Sequence, residues 1–253
     1  MEGDELTALL AGRPWNTAFD GKAIVLEPNG TLPTATLPGG MELTLLSPTL
    51  EHLRRLKPVW EREVRAHGLQ PGVPADTPVG TPEGLESFGP PEAPDIVTLA
   101  ASPFQTDRSK PNASSIAVLA RYHGHSVILS ADAYPDVLLA SVQQLARASG
   151  TERLTVSAFK VPHHGSRANV HRELLAHVTT QNYLFSSNGS RTKHPERESV
   201  ARVLAEASNP RLLFNYDTDY TRIWDDRALQ DQHGYQTVIA DGDNGLRVHL
   251  EAE

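Results

Sequence analysis

The chain has 253 residues, a formal net charge of −8 and no cysteine. This balance provides no global positive field to draw in nucleic acid. With 39% hydrophobic and 21% charged residues it is not a disordered chain. Disulfides, thiolate metal sites and a thiol nucleophile are all excluded. A polyanionic substrate would need a local cation, and a bound metal is the most economical source. No apolar run approaches the roughly 20 residues of a membrane span. The opening Met1-Glu2-Gly3-Asp4-Glu5 lacks the basic and apolar regions of a signal peptide. The expectation is one domain over 1–253, cytoplasmic, with no membrane partner.

In chain order, residues 1–46 predict a weak helix at 6–11, a strand at 22–26 and a strand at 41–46. Asn29-Gly30 and Pro38-Gly39-Gly40 are the turn signals between them. Ser47-Pro48 resembles an N-cap followed by proline at the first helical position. The helix predicted over 49–67 places Leu50, Leu53, Leu56 and Trp60 near helical spacing, and Pro58 should kink or split it. Residues 68–95 are crowded with Pro, Gly and acidic side chains and predict an insertion, a mobile segment in preference to a lid. Order resumes at 96–100. Strands at 115–122 and 126–131 flank His123-Gly124-His125, a turn with glycine at its centre. A helix follows over 135–148 with Val137, Leu138, Val142 and Leu145 as its buried stripe.

The apolar run 154–161 predicts one buried strand, stopped by Pro162. A helix near 170–177 takes Asn169 as its cap. A strand at 182–185 leads into Ser186-Ser187-Asn188-Gly189-Ser190, and Pro195 starts a helix over 196–207. A short strand at 212–214 precedes two last strands, 236–240 and 246–250, around the hairpin signal Asp241-Gly242-Asp243-Asn244-Gly245. Strand and helix alternate from 126 onward, which predicts a layered α/β domain.

Three strand ends carry groups suited to a divalent cation or an anion: Asp132, then His163-His164-Gly165-Ser166, then Asn188-Gly189 with His194. In α/β sheets ligands collect at the carboxyl ends of strands. A carboxylate and an imidazole from separate strand ends suit zinc or manganese. Adjacent side chains of a strand point oppositely, so one of His163 and His164 should bind while the other supports it. His194 precedes a proline at a helix start, where free N–H groups favour an anion. Taken singly, Asp132 reads better as a helix-proximal cap and His194 as a turn residue. Trp15, Trp60 and Trp224 read as packing residues, and Asp217, Asp219, Asp225 and Asp226 as a solvated acidic run.

In order and approximate spacing, Asn112 and Ser115, then Ser126 to Asp132, then Lys160 to Ser166, then Ser187-Asn188-Gly189 with His194-Pro195 resemble the second half of the metallo-β-lactamase fold. The nearest likeness is to the hydrolase domain of the ComEC competence protein and its soluble relatives. The resemblance covers roughly 96–250 and is most specific from His163 to Pro195. It implies a four-layer αββα sandwich and a metal-dependent hydrolase holding two zinc or manganese ions, with a phosphodiester or nucleic acid as one substrate class. It implies Asp132 and His164 as metal ligands and Asp132, His163 and His194 as catalytic groups. Ser166, Ser187, Asn188 and Gly189 would line the substrate site.

One signature is missing. The family's His-x-His-x-Asp-His motif is absent, and the lone His-x-His, His123 to His125, is followed by Ser126-Val127 and reads as a hairpin tip. The chain then corresponds to the C-terminal part of such a fold, incomplete on its N-terminal side. It would need an N-terminal half or a second copy as partner, and would be weakly active or inactive alone. The competing expectation is a non-catalytic interaction module derived from the same fold.

Overall fold

The computed structural model describes residues 14, 16–66, 93–190, 192–241 and 245–250. The expected helix at 6–11, Trp15, nearly all of the 68–95 insertion and the tip of the last hairpin lie outside these residues. Strands β1 (Thr34–Thr36), β2 (Glu42–Ser47), β3 (Ala117–Tyr122) and β4 (His125–Leu129) pair antiparallel in sequence order. From β4 the sheet continues in parallel through β6 (Ala158–Lys160), β8 (Asn182–Phe185), β9 (Arg211–Phe214) and β10 (Gln236–Ile239). The result is one eight-stranded sheet, with a separate two-stranded sheet of β5 (Leu154–Thr155) and β7 (Val178–Thr179). The α/β class is therefore observed, and the carboxyl ends of β4, β6, β8 and β9 fall on one edge.

Register explains where the core sits, because paired residues share a face. Leu119, Ile128, Phe159, Tyr183 and Leu212 pair in one row, and all five are buried. Helices α4 (Pro135–Ala148), α5 (Arg172–Ala176) and α6 (Arg197–Glu206) add Leu138, Val142, Leu174, Leu175, Val200 and Val203 to the same cluster. The neighbouring row (Leu45, Val118, Leu129, Lys160, Leu184, Leu213, Val238) belongs to the opposite face. None of its members joins the main core cluster, and Leu129 is 45% exposed.

Several expectations are corrected. Residues 22–26 form no strand; Leu26 makes only an isolated bridge to Thr49, because the Glu27 to Thr31 turn takes the chain away at once. Ser47 ends β2 and does not cap; Thr49 Oγ1 accepts from the His52 amide at 3.3 Å instead. Helix α1 (Leu50–Ala66) continues through Pro58 without splitting. The single strand expected at 154–161 is two. Val156 N–H donates to Thr179 and Ser157 N–H to Ser126, so the chain leaves the small sheet for the large one between these residues. Helix α5 is shorter than expected and begins after His171, and Asn169 does not cap it. The closing hairpin is also absent among the described residues. β10 pairs parallel to β9 and 245–250 carry no strand, since a turn signal reverses a chain without dictating which neighbour it pairs with.

Two short helices, α2 (Ile96–Ala100) and α3 (Lys110–Ala113), precede β3. Two more, α7 (Asp219–Arg222) and α8 (Arg227–His233), lie between β9 and β10. Trp224 is fully buried as expected of a packing residue, while Trp60 is 40% exposed. In the acidic run, Asp217 pairs with Arg222 at 2.6 Å and Asp226 caps α8. No described helix is long and apolar enough to cross a membrane.

Candidate functional site

Each loop at the carboxyl edge leaves its strand abruptly. After β4, Ala131 takes a left-handed φ of 46° and Ala133 N–H closes a turn on Ser130. After β6, Pro162–Gly165 forms a 3₁₀ turn in which His163 and His164 are left-handed, at φ 46° and 56°. A non-glycine residue in this region is strained and persists only where its surroundings hold it. The holds are visible: His163 N–H donates to Ala131 O at 2.8 Å, and Ser130 Oγ–H donates to Lys160 O.

Gly165 explains how the third loop joins. A Cβ there would lie 2.7 Å from Pro195 Cβ, and its φ is 88°. The missing side chain lets the His194-Pro195 corner rest on the histidine turn. Gly165 O then accepts from Glu196 N–H at 3.0 Å and Ser199 Oγ–H at 2.6 Å.

His164 Nδ1 is tied to the carbonyl of Ser186, an acceptor, so Nδ1 carries the proton and Nε2 is left as a lone-pair donor. That Nε2 lies 3.7 Å from Asp132 Oδ1. Two ligands of one tetrahedral zinc, each about 2.0–2.2 Å from the ion, stand about 3.3–3.5 Å apart. The pair therefore fits two positions of a single coordination sphere. It does not close one: among the described residues no group of three or more His, Asp or Glu side chains is arranged to hold a metal ion.

His163 and His194 lie beside this pair, with ring centres 5.4 Å apart; those of His163 and His164 are 6.3 Å apart. The expectation that strand alternation separates His163 from His164 does not apply, because neither is in a strand. His194 is buried, and its Nδ1 has no hydrogen-bond partner among the described residues. Burial holds its imidazole below the usual histidine range, with the Glu196 carboxylate opposing that shift, the other two histidines reinforcing it and Asp132 opposing it. Helix α6 begins at Arg197, three residues after His194, with Glu196 as its N-cap residue. Lys160, at the end of β6, is pushed below the ordinary lysine range by burial, partly offset by Asp132.

The remaining expected site residues serve their own turns. Ser166 is buried, accepts from Ala168 N–H at 3.3 Å and donates to Glu196 Oε2 at 3.4 Å. Ser187 Oγ accepts from Gly189 N–H at 3.1 Å, and Asn188 Oδ1 accepts from Ser190 at the amide and the hydroxyl. A Cβ on Gly189 would fall 2.5 Å from the Tyr220 ring. Asn188 alone of this segment's expected site residues is exposed. His123 sits at the opposite edge of the sheet, in the two-residue turn between β3 and β4.

Three residues missed by the sequence reading complete the neighbourhood. Asn215 Oδ1 accepts from Ser187 N–H at 3.1 Å. Asp107 Oδ2 accepts from Asn112 Nδ2 at 2.7 Å and Asn169 Nδ2 at 3.2 Å. Asn169, fully buried, meets His163 Nδ1 at 2.8 Å. No signal at the level of sequence joins residues 107, 169 and 215, and Asn169 resembles an ordinary cap. In comparisons with known proteins, no family model, no curated protein and no solved structure matches the chain.

Proposed function

We propose that the carboxyl edge of this sheet is one half of a metal-dependent hydrolase centre of the metallo-β-lactamase type. The observation that carries the reading is the pairing of Asp132 Oδ1 with a lone-pair-bearing His164 Nε2 at 3.7 Å, from two adjacent strand ends. In this reading the chain supplies two ligands of a zinc or manganese centre. A further segment, on this protein or a partner, supplies the rest. When bound, such a metal provides an activated hydroxide and a Lewis acid for ester or phosphodiester cleavage. In the same reading His163 and His194 would meet the bound anion.

The proposed architecture is a four-layer sandwich in which this sheet is one of two. What supports it is the half-exposed apolar face along Val118, Leu129, Leu184 and Val238, a surface that a second sheet or a second copy would cover. The alternative, an interaction module without chemistry, is favoured by the lack of a third ligand among the described residues.

Calorimetric titration with Zn²⁺ and Mn²⁺ separates the two. Uptake by the isolated chain should be weak, and it should be lost in Asp132→Ala and in His164→Ala with the fold intact. Uptake unaltered in both variants, or none in the wild type, leaves the interaction module as the reading.

A further inference from the structure

The buried polar groups beneath His163 form a closed hydrogen-bonding account, and that account decides which nitrogen carries the proton. Asn169 Nδ2 is surrounded by acceptors: Asp107 Oδ2 at 3.2 Å, Ala133 O at 3.3 Å and Asp132 O at 3.4 Å. An amide oxygen at that position would face three other oxygens, so the amide orientation is set. Its Oδ1 therefore faces His163 Nδ1, at 2.8 Å. Because Oδ1 can only accept, Nδ1 must donate. One group competes. Asn112 Nδ2 stands 3.4 Å from the same Nδ1 and would prefer it unprotonated. Its shorter bond, 2.7 Å, goes to Asp107 Oδ2, which already satisfies it. At 2.8 Å against 3.4 Å, the Asn169 contact prevails. Asp107 Oδ2, 3.5 Å from Nδ1, adds a carboxylate field in the same direction.

We infer that Asn169, anchored by Asp107, is a positioning residue that fixes His163 as its Nδ1–H tautomer and leaves Nε2 as a proton acceptor of the carboxyl-edge site. Nε2 makes no hydrogen bond among the described residues, and the side chain as a whole retains 22% exposure. Asp107, Asn112, Asn169 and the carbonyls of Asp132 and Ala133 thus form a floor under the ring. The same floor holds the loop that carries Asp132. The inference deepens the hydrolase reading and rests on it only for the use to which Nε2 is put.

The test is long-range ¹H–¹⁵N correlation of ¹⁵N-histidine-labelled protein, without metal, at about two pH units above the ordinary imidazole value. His163 is assigned by its loss in His163→Gln. The wild type should show a pyridine-like Nε2 and a protonated Nδ1 at His163. A protonated Nε2 there overturns the inference, whatever the variants do. Asn169→Leu, which keeps the volume and removes the acceptor, should invert or mix the tautomers at His163. His164, held by Ser186, should stay as it was and serves as an internal control. An unchanged His163 signature in a folded Asn169→Leu protein also overturns the assignment. Because no metal is present, these spectra stand apart from the Zn²⁺ titration, and failure of one leaves the other to be judged on its own readout.

Discussion

At the scale of the residue, acceptors on other loops set the protons of two of the clustered histidines, Asn169 Oδ1 for His163 and the Ser186 carbonyl for His164. His194 shows the cost. Its imidazole is buried and held below the usual histidine range, so the unfolded chain takes up a proton at a higher pH than the folded one. Its stabilising contribution is therefore complete above the ordinary value of about 6.5 and is lost as pH falls through that value toward the lower folded one. Urea midpoints measured from about pH 7.5 to about pH 5 should fall for the wild type and fall less steeply for His194→Gln, whatever that variant's absolute stability. Equal slopes would show that His194 is not the group responsible. The residues bearing this chemistry were partly legible beforehand, because histidines and an aspartate after apolar runs announce strand ends. Asn169 and Asp107 were not. Their role lies in a contact spanning 62 positions, and asparagine before a helix has a simpler local explanation.

Among the elements, strands were legible wherever an apolar run was also long enough to be paired on both sides, as in β3, β4, β8 and β9. They were misread where the partner decided the matter. Val156 and Ser157 carry no mark of a change of sheet, and nothing in residues 236–239 favours a parallel neighbour over a hairpin. Helix α1 is a different case. Its periodicity is plain and its proline predicts a kink or a split, yet the helix runs through Pro58 unsplit and with no fully buried side chain described. A proline inside a helix costs about 3 kcal/mol through its lost N–H and its clash with the preceding turn. Pro58→Ala should therefore slow amide exchange across 54–66 while moving the global Tm by less than about 2 °C, since α1 opens apart from the core. A large rise in Tm with no local protection would mean that α1 unfolds together with the sheet.

For the whole molecule, the two faces of the large sheet are unequal. One is closed by α4, α5 and α6 over a continuous core. The other presents Leu129 with the half-exposed Val118, Leu184 and Val238, in a row that also holds Lys160 and the buried Leu45 and Leu213. A face of this kind favours a partner. Sedimentation across a concentration series should show reversible self-association of the isolated chain, and Leu129→Lys should shift it toward monomer. A wild type that stays monomeric throughout would count against the covered-face reading and the sandwich with it. Fold class was legible because the alternation of strand and helix is written locally; which face stays open is not, since it depends on register between strands far apart in sequence.

The Asn215 side chain that pins the Ser187 amide has a bearing on biosynthesis. Asp107, His163, His164, His194 and Asn215 enter the polypeptide in that order, and the parallel strands between them pair only after long intervening segments exist. During vectorial translation the imidazole-bearing loops emerge before the amide that locks the last of them. A nascent chain halted short of β9 would carry all three rings without that lock, so the last loop is fixed only after the strand that follows it has been made.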